Sequence, residues 1–134
     1  MDEKEYDLLM KDLCGRLPYG VKVLYKGWDS NHGCEFTTVE DLIGIDDRFI
    51  YTLWRGERDK HSIVEPLSIT DYKPYLRPLS SMTEEEEKQF QDVNMYELPY
   101  MVEGIEWLKA HHFDYRGLIN DGLALEAPEG MYEN

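Results

Sequence analysis

The chain has 134 residues, 42% hydrophobic and 13% aromatic, enough to bury a core and too apolar for disorder to be the default. Its net charge is −14, which argues against a nucleic-acid backbone or an anionic membrane surface as a direct partner. The acidity is uneven. Residues 1–78 carry 15 acids against 11 bases, a balance of −4, whereas residues 79–134 carry 13 against 3, a balance of −10.

Met1-Asp-Glu-Lys-Glu opens acidic with no apolar stretch behind it, and no apolar run reaches the length of a membrane span. Cys14 and Cys34 have no C-x-x-C spacing and are too few for a secreted disulfide framework. The expected setting is a reducing cytoplasm.

In chain order, Tyr6, Leu9, Met10 and Leu13 recur at helical spacing, which predicts an N-terminal helix over residues 1–15 stopped by Gly15. Residues 17–72 read as turn-punctuated strands. Val21–Tyr25 is a first strand, 27–33 a loop, Cys34–Val39 a second strand, and Phe49–Trp54 a third after the Asp46-Asp47 turn. Arg55–Lys60 is then a hairpin tip with His61–Val64 as its return, ended by Pro66, and Leu67–Thr70 a last short strand. This predicts four or five strands, in a small antiparallel sheet or a partly open, SH3-like barrel.

Residues 73–82 form a Pro-rich hinge. Pro74 and Pro78 lack an N–H and push Lys73 and Arg77 towards extended geometry, so neither a helix nor a central strand is expected there. Thr83 is then placed as an N-cap, with Glu86 able to close a capping box over a helix from Glu84 to Gln91. A second helix, Pro99 to about Ala110, has Leu98, Met101, Val102, Ile105 and Leu108 at helical spacing, a stripe expected to face inward. Asp114 caps a third over Tyr115–Asn120, closed by Gly122, which completes a helical region of residues 83–122; residues 123–134 are a tail, loose from Ala127. The whole reads as one α+β domain, with C-terminal helices after the strands.

Lys73-Pro-Tyr-Leu-Arg-Pro-Leu-Ser-Ser-Met-Thr-Glu-Glu-Glu-Glu87, His111-His-Phe-Asp-Tyr-Arg-Gly-Leu-Ile119, Gly122-Leu-Ala-Leu-Glu-Ala-Pro-Glu-Gly-Met-Tyr132 and Leu17-Pro-Tyr-Gly-Val-Lys22 together resemble a family of short uncharacterised proteins. That family is encoded in gut Bacteroidetes genomes and in their phages or mobile elements. The resemblance covers most of the chain. It implies a lineage and brings no reaction, cofactor or site residue with it.

Several clusters invite chemistry. His111, His112 and Asp114 are metal-ligand types, but adjacent helical residues point about 100° apart and no i, i+4 pair is present. His32 and Cys34, two apart beside a strand, are the elements of a nucleophile pair without an orienting third group; a half-buried cysteine is the plainer reading of Cys34. Asp29-x-Asn31 and Asp46-Asp47 are turn formers before they are calcium ligands. The tip Trp54–His61 mixes an aromatic with basic side chains, a nucleic-acid hint that Glu57, Asp59 and the global charge oppose.

No catalytic, cofactor or metal residue is therefore assigned. The expected function is a protein-binding accessory module, with Glu84, Glu85, Glu87, Trp54 and Arg55 as candidate partner-binding residues. Its partner is another protein with a basic surface, not a membrane. The alternatives are a virion or assembly component, which would be a homo-oligomer, and a small hydrolase with a Cys/His or metal site.

Overall fold

A computed structural model of the chain describes residues 2–46, 50–54, 63–67, 72–93 and 100–132. The protein is α+β, with an N-terminal helix, a sheet region and C-terminal helices. It forms two compact units, Met1–Tyr75 and Leu76–Asn134.

The first unit opens with α1 (Glu3–Arg16). Asp2 caps it, its Oδ1 accepting from the Glu5 amide at 2.8 Å. The helix does not stop at Gly15. It runs on to Arg16, which pairs with Asp12 one turn earlier, then tightens into a 3-10 turn over Leu17–Tyr19 and ends at Gly20 in the left-handed conformation, φ 77°. The buried face is Leu9, Asp12, Leu13 and Arg16, so the apolar stripe read from the sequence is rotated to take in a polar pair.

Strands β1 (Lys22–Asp29) and β2 (Cys34–Ile45) form a hairpin longer than its residue types suggest. The turn is confined to residues 30–33, where the Asp29 carboxylate accepts from the Asn31 and His32 amides at 2.9 and 3.3 Å and Gly33 takes φ 62°. Strand β3 (Ile50–Trp54) pairs with β2 through a bulge between Leu42 and Gly44, and β4 (Ile63–Leu67) pairs with β3. Pro66 lies inside β4 rather than ending it, as an end strand allows.

Strand β5 (Tyr72–Pro78) occupies the segment read as a hinge, and its first residues lie against β1, with Val23 opposite Pro74. The register explains why proline is tolerated. Leu42 N donates to Val21 O, so the odd residues of β1 exchange bonds with β2 and the even ones turn to β5. Pro74 therefore faces a non-bonded position and its missing N–H removes nothing from the ladder with β1. The strands β4-β3-β2-β1-β5 are antiparallel at every junction, and among the described residues no pairing closes them into a barrel; the end of β5 takes a parallel partner, so the sheet as a whole is mixed rather than purely antiparallel.

One face of this sheet is closed. Val21, Val23, Glu40, Leu42, Ile50, Thr52 and Tyr72 are all buried. Glu40 is held by hydroxyls, accepting from Thr52 and Thr38 at 2.5 Å each, with the Tyr72 hydroxyl 3.3 Å from Thr52.

In the second unit Arg77 and Pro78 of β5 pair in parallel with β6 (Phe113–Asp114), Arg77 N donating to His112 O at 2.8 Å. A 3-10 turn over Leu79–Ser81 leads to α2 (Glu84–Val93), and α3 is Tyr100–Ala110. Among the described side chains of α3, Gly104 and Leu108 are buried, whereas Val102 and Ile105 are 53% and 44% exposed. The stripe expected to face inward is therefore rotated: Leu108 is turned in, with Gly104 in place of Ile105 beside it.

The expected third helix is absent. Gly117 at φ 76° breaks the run, yet Asp114 still gathers amides, accepting from Arg116, Leu118 and Ile119 at 3.0 to 3.3 Å. Nor is the chain loose from Ala127. Strand β7 (Leu125–Glu126) pairs with β5, Ala127 N donates to Leu76 O at 2.8 Å, and Tyr132 stacks on His112 at 3.7 Å between ring centroids. The expected turn at Asp47, the hairpin tip from Arg55, His61, the strand end 68–70, and Leu98 with Pro99 lie outside the described residues.

Candidate functional site

The candidate site is the acidic first turn of α2, and it is built from a local motif and a longer-range tie. Thr83 Oγ1 accepts from the Glu86 amide and Glu86 Oε1 accepts from the Thr83 amide, both at 3.1 Å, the reciprocal box expected from the spacing. Arg77 then grips the same carboxylate bidentately. Its Nη1 donates to Oε2 and its Nη2 to Oε1, each at 2.7 Å.

This guanidinium holds the Glu86 carboxyl well below the usual carboxylate range, at about 2, with the Thr83 amide lowering it further against the opposing effect of burial. Arg77 is itself positioned from its other side. Its Cζ lies 4.1 Å above the Phe113 ring, Phe113 is stacked beside Trp107 at 5.8 Å, and Trp107 meets His111 at 4.0 Å and Phe90 of α2 at 5.4 Å. The start of α2 is thus fixed to β5 through charge and to α3 through an aromatic column.

Glu86 is used internally. Glu84, Glu85 and Glu87 are exposed, so three of the four consecutive carboxylates are presented outward from a helix start that cannot easily move. Beside them a cavity of 530 Å³ is lined by Arg77, Ser81, Thr83, Glu86, Glu126 and Tyr132 among others.

The other sequence candidates separate. The Trp54 side chain and Arg55 lie outside the described residues. His32 Nδ1 is 2.8 Å from Asp29 Oδ2 and the ring is largely in solvent. That contact, then the neighbouring amides, keeps the Asp29 carboxyl below its ordinary value despite some desolvation. The imidazole thus serves the turn aspartate, and Cys34 is exposed rather than half-buried.

His111 Nδ1 donates to Trp107 O at 2.9 Å, while His112 takes φ 66° and stacks on Tyr132. The two imidazoles therefore have different neighbours. Among the described residues no group of three His, Cys, Asp or Glu is placed to hold a metal ion, and no helix is long and apolar enough to cross a membrane. Arg77 is the functional-site residue that sequence reasoning missed. Its only signal was a lone cation nine residues ahead of Glu86, with nothing in the spacing to join them.

The chain matches no protein-family model, no curated protein and no solved structure. A functional reading rests on its own residues.

Proposed function

We propose that the protein is a protein-binding accessory module of the phage or mobile-element lineage its sequence resembles, working in the cytoplasm. It presents the acidic first turn of α2 to a basic surface of another protein. The supporting observation is the division of labour among four glutamates. Glu86 is consumed by Arg77 and Thr83, which leaves Glu84, Glu85 and Glu87 exposed on a start that is already ordered. Binding then pays little ordering entropy, and the −10 balance of residues 79–134 steers a basic partner towards it.

The test is a tagged capture from nuclease-treated host lysate at low salt, run beside a Glu84→Gln/Glu85→Gln/Glu87→Gln variant. One stoichiometric protein with a basic surface is expected. Its affinity should fall about tenfold or more in the variant, as for several rim charges lost together, with α2 amide exchange unchanged. A blank capture overturns the module reading; a partner held equally by the variant overturns the assignment to α2.

A second reading, a virion or assembly component, is favoured by a different observation. The open face of the β1–β2 hairpin carries Trp28 at 63% exposure, with Val39 and Ile43 also in solvent.

A further inference from the structure

Alternation along the hairpin sorts its side chains. With Val21, Val23, Glu40 and Leu42 closed on one side, the other side carries Lys22, Leu24, Lys26 and Trp28 from β1 and Glu35, Thr37, Val39 and Asp41 from β2. Lys73, opposite Leu24, adds a third cation from β5. Among these residues three lysines meet two carboxylates, whereas the chain as a whole stands at −14. Two copies of so acidic a protein repel one another over most of their surface, and this is a patch where they do not.

The charges are also ordered. The lysines of the hairpin lie in one row on β1 and the carboxylates in the adjacent row on β2, joined in pairs: Lys22 Nζ to Asp41 Oδ1 at 2.8 Å and Lys26 Nζ to Glu35 Oε2 at 3.2 Å. Between them stands the apolar pair Leu24 and Val39, with Trp28 further along β1. A two-fold axis lying in the face, parallel to the strands and midway between β1 and β2, exchanges the two rows. It sets Lys22 over Asp41 of the second copy and Leu24 over its Val39. The face is complementary to itself.

We infer that the open face of the β1–β2 hairpin is a docking surface for a second copy of this chain, giving an isologous dimer with the two sheets face to face. Two paired strands of eight residues, at about 3.3 Å per residue and about 4.8 Å per strand, give a backbone footprint of roughly 250 Å² before side-chain relief. That is well below the roughly 800 Å² per partner of a standard interface, so the contact is a weak, reversible one selected by its charge pattern. Trp28 supplies an exposed aromatic anchor of the kind that dominates such contacts, and each intrachain ion pair becomes part of a four-charge network. This surface shares no residue with the acidic turn of α2, so each reading can fail without the other.

The test is sedimentation equilibrium of the full chain at physiological ionic strength, where repulsion beyond about 8 Å is screened. A monomer–dimer equilibrium is expected, weakened about tenfold or more by Trp28→Ser and also by Lys26→Glu, which sets like charge on like. The sharper variant exchanges the rows completely: Lys22→Glu, Lys26→Glu, Glu35→Lys and Asp41→Lys. By the same symmetry it should dimerise with itself and refuse to mix with the wild-type chain. A wild-type monomer at all soluble concentrations overturns the inference. So does a dimer indifferent to Trp28→Ser and Lys26→Glu, or free mixing of the row-exchanged and wild-type chains.

Discussion

Asp12–Arg16 and Arg77–Glu86 are both arginine–carboxylate contacts of 2.7 Å, and their settings could hardly differ more. The first joins residues one helical turn apart, and both side chains are completely buried. The second joins residues nine apart on a strand and a helix start, with side chains 24% and 17% exposed. In the first, both groups are shut away from solvent and the Arg16 Nε–Asp12 Oδ2 contact lies wholly inside. In the second, water still reaches both groups, and the bond's work is to hold α2 to β5. A buried pair makes each partner hard to remove; a half-open pair makes a position in space.

That contrast predicts its largest effect at Arg16. Arg16→Met takes the guanidinium away from the buried Asp12 carboxylate, and about 3–5 kcal/mol of stability should be lost. Replacing both, Asp12→Leu with Arg16→Met, removes the charge problem as well as the bond and should recover most of that loss. Urea unfolding of the three proteins checks it. If the double variant is as unstable as the single one, the pair is specifying the end of α1 and not merely compensating itself.

Arg77→Met comes next. Glu86 can turn to solvent when its partner goes, so the loss should be smaller, about 1.5–3 kcal/mol, the range of a hydrogen bond to a charged group. It should appear in the residues from Leu76 onwards, read as faster amide exchange in α2. The tie is also pH-dependent, with a definite sign. The Glu86 carboxyl sits at about 2 when folded against an ordinary 4.5, so its contribution is complete above pH 4.5 and drains away as the pH falls towards 2. Glu86→Gln should abolish that component of acid destabilisation. Acid unfolding curves of equal slope for Glu86→Gln and wild type over this window would show that the carboxylate's ionisation is not linked to folding.

The two pairs also mark what could be read without coordinates. The capping box was legible because Thr83 and Glu86 are three residues apart and a helix start requires that geometry. The α+β order was legible from the switch of hydrophobic period. Arg77 was not, because a contact between strand and helix depends on the turn over Leu79–Ser81 bringing them together. Pro74 misled for a related reason: whether proline breaks a strand depends on which neighbour its nitrogen faces, and only the register with Val23 decides that. At Ile105 and Gly104 the apolar residue was expected inward, but the helix turns Gly104 in instead, a rotation set by packing that local residue types do not encode. Gly117 breaks the third helix expected after Asp114, and the amides Asp114 gathers are those of a turn.

The smallest effect belongs to Thr83, and it asks whether the local box and the longer tie are one device or two. Thr83→Ala removes an N-cap hydroxyl and should cost about 1 kcal/mol, with Thr83→Ser restoring most of it. Both the cap and the tie end on one carboxylate, since Glu86 Oε1 accepts from the Thr83 amide and from Arg77 Nη2. Arg77 should hold Glu86 in the rotamer that reaches back to Thr83, and the closed box should in turn present both oxygens to the guanidinium. The losses from Thr83→Ala and Arg77→Met should therefore not add. Their double variant should be less damaged than the sum by at least about 0.5 kcal/mol, the lower edge of coupling between residues of one network. Strict additivity would separate the two. The acidic turn would then be ordered by its own sequence, with Arg77 setting only where the helix begins.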